Sequence, residues 1–299
     1  MGEPALSLHG RSGIEPPVTT RFAPSPTGLL HLGHAFSAFL AWRRARDAGG
    51  RFLLRLEDID VTRCRPEYAA AILEDLAWLG LDWDGPVRVQ TEHLPDYAAV
   101  LDALNRRGML YPCFCTRADI AREIAAATDA PHAPDGGPVY PGTCRALPPA
   151  ERAARIAAGE PHALRLNLEK ALAAAGRALC YEEDGTGSVP CRPERFGDAV
   201  LARKDIRASY HLCVTHDDAQ GGVTLVTRGE DLRAATDLHV LLQALMDWPT
   251  PRYAHHRLLS DARGRRLAKR ASAPPIRLLR QQGWSPEAVR DLATVSDYC

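Results

Sequence analysis

The stretch Arg21-Phe-Ala-Pro-Ser-Pro-Thr-Gly-Leu-Leu-His31-Leu-Gly-His34 decides the reading of this chain. It spells the end of a buried strand, a tight turn and the first turn of a helix. Val18, Thr19 and Thr20 are β-branched and lead into Phe22, as in a strand. Pro24, Pro26 and Gly28 then force a turn. From Ala35 onward Phe36, Phe39, Leu40 and Arg43 recur at helical spacing, with Trp42 beside them. A turn that feeds a helix N-terminus is a natural phosphate site, because unpaired N–H groups and the helix dipole both face an anion. His31 and His34 add donors there. The plain alternative is a surface turn with two incidental histidines.

Working outward, 299 residues suffice for one large domain or a domain with an insertion. Hydrophobic residues make up 45% and charged residues 25%, which is ordinary for a soluble globular protein. No apolar run approaches a membrane span. The first seventeen residues carry Gly, Pro and Ser without an apolar segment, so they read as a flexible extension and not as a secretory signal. The formal net charge is zero, which gives no general support to nucleic-acid binding. A basic surplus is nevertheless local: Arg263, Arg265, Arg266, Lys269 and Arg270 lie together. Only Lys170, Lys204 and Lys269 are lysines in this arginine-rich chain, so a retained lysine points to a need for a compact ammonium. Eight cysteines without a signal peptide read as thiols or metal ligands in a cytoplasmic protein.

The string Arg21 to His34 resembles the HIGH signature of class I aminoacyl-tRNA synthetases. Its lead-in, Arg21-Phe-Ala-Pro-Ser-Pro-Thr-Gly28, has the form of the glutamyl and glutaminyl branch. The resemblance implies an α/β fold, a Rossmann-like parallel-sheet catalytic domain. The order of elements agrees. A strand over Arg51 to Leu56, a helix over Pro66 to Leu79 closed by Gly80, and a helix from Leu94 to Arg107 continue a βαβα pattern. Glu57-Asp58-Ile59-Asp60 follows that strand, where parallel sheets bind ligands. Position alone leaves Glu57 either facing a ligand or in a polar loop before the next helix. Leu56-Glu-Asp-Ile-Asp60 is similar to the family's second conserved strand end, whose glutamate meets the substrate amino group.

The pattern changes at Tyr111-Pro-Cys113-Phe-Cys115, in a segment closing at Val139-Tyr140-Pro-Gly-Thr-Cys144. Between them runs a linker, Ala125 to Gly137. Three cysteines framing one segment suggest zinc, since thiolates close a tetrahedral site. Three ordinary thiols are the alternative. The segment resembles the glutamyl-queuosine tRNA(Asp) synthetase family, which adds a tyrosine oxygen. The implied ligands of one structural Zn²⁺ are Cys113, Cys115, Tyr140 and Cys144. Cys64, Cys180, Cys191, Cys213 and Cys299 receive no role. A helix over Pro148 to Ala158, a strand over Ala163 to Leu168 and a polar, turn-rich Cys180 to Val189 complete an insertion over 111–195. By resemblance it is an acceptor-binding-like subdomain.

A second β–α–β–α unit follows over 196–250, starting from a strand over Phe196 to Ala202. It holds Ser209-Tyr210-His-Leu, a helix ending in Asp217 and Asp218, the strand Val223 to Thr227 and Arg228-Gly-Glu-Asp-Leu232. A dicarboxylic amino acid needs a fixed guanidinium, whose planar fork pairs both oxygens of a carboxylate. Arg21 and Arg228 are candidates, and either reads equally well as a structural ion pair. The family resemblance favours the substrate role, and assigns Arg21, Phe22, Ala23, Pro24, Ser25, Glu57, Tyr210 and Arg228 to glutamate.

The remaining region, 251–299, carries Arg266-Leu267-Ala268-Lys269-Arg270, which resembles the KMSKS loop. Arg266 stands for its first lysine and Ala268 for its serine. The resemblance implies ATP, with Mg²⁺, held by His31, Gly33, His34, Arg266, Leu267 and Lys269, with His31, His34 and Lys269 acting in catalysis. Ser285-Pro-Glu opens a last helix through Leu292. That leaves no room for an anticodon-reading domain, and the expectation is a monomer acting on glutamate, ATP and tRNA(Asp) bearing queuosine.

Overall fold

The computed structural model describes residues 17–126, 133, 139–259 and 274–294. The expected extension up to residue 16, most of the Ala125 to Gly137 linker and the basic loop Arg266 to Arg270 lie outside the described residues.

The first half follows the expected alternation: β1 (Thr19–Phe22), α1 (Leu32–Asp47), β2 (Arg51–Leu56), α2 (Pro66–Trp78), β3 (Arg88–Val89) and α3 (Leu94–Arg106). β1 is wholly buried, as its β-branched residues require, and pairs in parallel with β2 from Thr19 opposite Arg51 to Phe22 opposite Leu54. β2 in turn pairs in parallel with β3. His31 caps α1, and Ala35, Phe36, Ala38, Phe39, Ala41 and Ala45 form its buried stripe. Small residues on that stripe let the helix lie close to the sheet, and full burial of Phe36 or Leu54 contributes about 2 kcal/mol each.

The middle of the chain contains β4 (Leu110–Cys113), α4 (Arg117–Ala126), α5 (Pro149–Ala157), β5 (Ala163–Leu166), α6 (Leu168–Ala175), β6 (Cys180–Glu183), β7 (Gly187–Pro190) and β8 (Val200–Ala202). β4, β5 and β8 form an antiparallel sheet of their own. Buried Asp198 ties it together: its carboxylate accepts from the Tyr111 hydroxyl at 2.5 Å and from the Leu168 N–H at 3.0 Å.

The chain closes with α7 (Tyr210–Gln220), β9 (Leu225–Gly229), α8 (Ala235–Leu245), β10 (Arg252–His256), α9 (Ile276–Gln281) and α10 (Pro286–Thr294). β9 and β10 are parallel over five residue pairs. The Thr224 N–H donates to the Thr19 carbonyl at 2.9 Å, which sets β9 beside β1 and brings the two groups of parallel strands together. The molecule is thus α/β with parallel strands at its centre.

Two sequence expectations change here. Cys180 to Val189 is a β-hairpin, and β6 pairs in parallel with β10. Its alternation was hidden because one inward position is a glutamate, Glu183, buried beside Tyr181. The strand expected over Phe196 to Ala202 to rejoin the parallel layer is shorter and pairs with β5 instead. Glu194, Arg195 and Phe196 belong to a short 3-10 turn.

Candidate active site

A cavity of about 690 Å³ opens at the C-terminal ends of β1, β2, β9 and β10. Loops that leave parallel strands at this edge are where such sheets bind ligands. Arg21, Phe22, Ala23, Pro24 and Ser25 enter from β1 and its turn, His31, Gly33 and His34 from the start of α1, Glu57 from the end of β2, Tyr210 from α7 and Arg228 from β9. All the described residues expected for glutamate and ATP therefore line one cavity. Arg266, Leu267 and Lys269 lie outside the described residues.

The two histidines cap their own helix. His31 Nδ1 accepts from the Gly33 N–H at 3.1 Å, and His34 Nδ1 accepts from the His31 N–H at 3.2 Å. Their rings stack with centroids 3.8 Å apart. Each neutral ring consequently carries its proton on Nε2. The Gly33 amide, expected to be open to an anion, is already engaged by His31.

The floor near β1 and β2 is a charge cluster. Asp218 Oδ1 accepts from Arg21 Nε at 2.9 Å and from Arg55 NH1 at 2.7 Å. Arg55 NH2 donates to Glu57 Oε1 at 3.1 Å, and Arg21 NH1 donates to the Thr227 carbonyl at 3.0 Å. Burial works to raise the Asp218 carboxyl, but the two guanidinium groups hold it below its ordinary range. Glu57 goes the other way: burial raises its pKa and outweighs Arg55 and Arg21. Burial also raises the Tyr210 phenol, with the Glu57 charge adding to it. Neighbouring Asp217, held by Arg88, Gln90 and Tyr97, falls to about 2 against the penalty of burial.

Arg228 has a different setting. Its Nε faces His255 Nε2 at 3.2 Å, NH1 faces His239 Nδ1 at 3.1 Å, and NH2 donates to Thr236 Oγ1 at 2.7 Å. Its guanidinium also lies over the Tyr253 ring, 5.3 Å from the centroid.

Sequence reasoning missed Arg55, Asp218, His239, His255 and Glu183. One signal was available: two acids end α7, where the helix dipole disfavours them, so they require cationic partners from elsewhere. The histidines carried no such sign.

The thiol segment assembles as expected. The sulfurs of Cys113, Cys115 and Cys144 lie within 4.8 Å of one another. Cys115 Sγ is 3.4 Å from both Cys144 Sγ and the Tyr140 hydroxyl oxygen. Ligands about 2.3 Å from a tetrahedral Zn²⁺ sit somewhat under 4 Å apart, so three thiolates and a phenol oxygen fit that ion. The Tyr140 oxygen also accepts from the Cys144 N–H at 2.8 Å, and Arg165 covers its ring at 3.9 Å. Burial and the three surrounding thiols push the Tyr140 phenol up, and only the Cys144 N–H works against them.

Residues 17–295 match the family described as tRNA synthetases class I (E and Q), catalytic domain. The glutamyl-Q tRNA(Asp) synthetase of Rhodobacter capsulatus is 50% identical over 282 residues, covering 91% of this chain and 98% of that one. The protein of the same name from Nitratidesulfovibrio vulgaris is 44% identical over 272 residues, covering 88% and 81%. Among solved structures, a glutamate tRNA ligase from Elizabethkingia meningosepticum, in complex with its amino acid, superposes with a TM-score of 0.76 at 26% identity. That match covers 93% of this chain, which spans 60% of the ligase's length. No helix among the described residues is long and apolar enough to cross a membrane.

Proposed function

This chain belongs to the class I tRNA synthetases of the glutamate and glutamine type, and on that premise we propose that it activates L-glutamate with ATP and transfers it to the queuosine base of tRNA(Asp). The observation that carries the chemistry is the single cavity shared by Arg21, Glu57, Tyr210, Arg228, His31 and His34. The choice of acceptor is supported by the names of relatives matched over about nine-tenths of the chain.

Glutamate brings an ammonium and two carboxylates. Glu57, largely buried and with its charge only partly matched, suits the ammonium. Arg228 and Arg21 suit the carboxylates, and Phe22 to Ser25 with Tyr210 shape the space between them. A glutamate carboxylate oxygen attacks the α-phosphorus of ATP, the bond to the bridging oxygen breaks, and pyrophosphate leaves with that electron pair. Positioning and charge stabilisation carry this rate. The Nε2–H groups of His31 and His34, supplied at a dipole-positive helix end, suit the developing phosphate charge. Gly33 keeps the backbone close. Arg266, Leu267 and Lys269 are assigned to the ATP phosphates from sequence, with Mg²⁺ accompanying ATP. The glutamyl group then passes to the queuosine base as AMP departs.

In this reading 18–110 and 196–250 make the catalytic domain, and 111–195 inserts a subdomain whose Cys113, Cys115, Tyr140 and Cys144 hold a structural Zn²⁺. Zinc would clamp the two ends of that segment and supply no reaction chemistry. The protein would act as a cytoplasmic monomer.

The test is transfer of radiolabelled glutamate by the purified protein to tRNA(Asp) with and without queuosine. Label is expected only on the modified tRNA. Equal labelling of unmodified tRNA would sink the proposed acceptor and favour a second reading, charging of a tRNA 3′ end. The glutamate–tRNA ligase of Aquifex aeolicus, 37% identical over 91% of this chain, supports that second reading.

A further inference from the structure

Resting on the glutamate pocket proposed above, the geometry points to His239 and His255 as positioning residues that aim Arg228 at a substrate carboxylate while leaving its positive charge uncompensated.

A guanidinium has only donors. His239 Nδ1, facing Arg228 NH1 at 3.1 Å, must therefore accept, and so must His255 Nε2, facing Arg228 Nε at 3.2 Å. The far nitrogen of each ring agrees. His255 Nδ1 lies 2.7 Å from Glu183 Oε2, and the His255 backbone N–H donates to Glu183 Oε1 at 3.0 Å. A carboxylate accepts, so His255 carries its proton on Nδ1. His239 Nε2 lies 3.1 Å from His211 Nδ1, and a neutral His239 donates there. Thr236 Oγ1 accepts from Arg228 NH2 at 2.7 Å and sits 3.3 Å from His255 Nε2. The side chains of His239, His255 and Thr236 are buried behind Arg228, away from the cavity wall. Burial and the adjacent arginine keep both rings neutral, His255 at about 4.

The electrostatic outcome is specific. Three neutral acceptors fix the guanidinium plane. Among the described residues, no carboxylate pairs with Arg228. Glu183 is one ring away and already meets Arg233 at 3.2 Å. In the Arg21 cluster, by contrast, the guanidinium groups of Arg21, Arg55 and Arg88 face the carboxylates of Asp218, Glu57 and Asp217. Arg228 therefore adds a cation beside that cluster, matching the extra negative charge of a second ligand carboxylate. Glutamate has that charge and glutamine does not. A carboxylate at Thr236 or His239 would fix Arg228 equally well and remove the distinction.

Two measurements on the full chain test this. In long-range ¹H–¹⁵N spectra of histidine-labelled protein at pH 7.5, His239 is expected as the neutral Nε2–H form and His255 as the neutral Nδ1–H form. ATP–pyrophosphate exchange is then followed with glutamate and with glutamine. His239→Gln and His255→Gln, which keep a neutral acceptor, are expected to raise KM for glutamate about tenfold, leaving KM for ATP within twofold. Thr236→Asp is expected to lower the glutamate-to-glutamine ratio of kcat/KM at least tenfold, against less than threefold for His239→Gln. A charged imidazolium at either position, unchanged glutamate KM in both glutamine variants, or an unchanged ratio in Thr236→Asp would overturn the inference. If Thr236→Asp does not fold, the tautomers and the two glutamine variants decide. Absence of glutamate-dependent exchange in the unaltered protein would instead overturn the proposed function, and the tautomer spectra would still test the histidine cage.

Discussion

Arg21 and Arg228 line the same cavity and are held by different means. Arg21 leans on Asp218, which it shares with Arg55, in a buried cluster that extends to Glu57. Arg228 leans on two imidazoles and a hydroxyl. The first arrangement exchanges one charge for another and makes each member depend on the rest. The second fixes direction and leaves the charge for something else. A buried arginine is thus read by what touches it, and residue type alone does not distinguish a scaffold cation from a ligand-facing one.

The largest test of this contrast is on stability. Asp218→Ala would take the carboxylate from buried Arg21 and the shortest ion pair from buried Arg55, and the loss of one partner from such a cluster costs about 3–5 kcal/mol. Thr236→Ala removes one hydrogen bond from the Arg228 guanidinium to a neutral hydroxyl and should cost about 1.5–3 kcal/mol. Urea unfolding of the two variants measures both. Equal losses would erase the distinction between the two halves of the cavity.

Activity should reverse that order. Arg228→Met leaves three neutral acceptors unpaired but strands no carboxylate, so unfolding free energy should move by about 1–3 kcal/mol. Losing one partner of a desolvated charge pair with substrate costs about 2–4 kcal/mol, equivalent to a 30- to 1000-fold fall in kcat/KM for glutamate. A small kinetic effect with a large loss of stability would make Arg228 the scaffold residue.

Glu57 links the balanced cluster to substrate and predicts a pH dependence. Its folded pKa lies above the ordinary glutamate value because burial outweighs Arg55 and Arg21. It binds a proton as pH falls through that raised value, and only the anion pairs with an ammonium. Glutamate KM should therefore rise as the solution is acidified, from a pH above the ordinary glutamate range near about 4.3. Glu57→Gln should flatten that slope and raise KM at neutral pH by about tenfold. A profile that keeps the same acid limb in the glutamine variant would assign the titration to another group.

Much of this organisation was legible in the sequence. The strand–turn–helix of Arg21 to His34 combines β-branched residues, turn-forming prolines and a helical apolar stripe, three local signals that agree. The cavity residues followed because strand ends share one edge of a parallel layer. The hairpin at Cys180 to Val189 was not legible, because an inward glutamate breaks its apolar alternation. Glu183 occupies that position to meet His255, which is 72 residues away in sequence. The cage around Arg228 was hidden for the same reason. Its members come from β6, α8 and β10, and each alone is an ordinary core or strand residue. Long-range polar partners leave no periodic trace.

Asp75 supplies the missing case in the comparison, a buried carboxylate without a cation. It is fully buried in α2, and neither carboxylate oxygen has a hydrogen-bond partner among the described residues. Arg280 and Arg277 are nearby but pair with exposed Glu74. Burial raises the Asp75 pKa to about 6, whereas paired Asp218 is lowered. Below pH 4 Asp75 is protonated in both folded and unfolded chains and leaves no pH slope. Between about 4 and 6 the folded chain binds the extra proton, so stability falls as pH rises, and the deficit persists above that window. Asp75→Asn should remove the slope and stabilise the protein at pH 7.5 by about 1–2 kcal/mol. Urea unfolding at pH 4.5 and 7.5 measures both effects. A destabilised asparagine variant at pH 7.5 would mean that the Asp75 carboxylate has a partner after all, and that it belongs with Asp218 rather than opposite it.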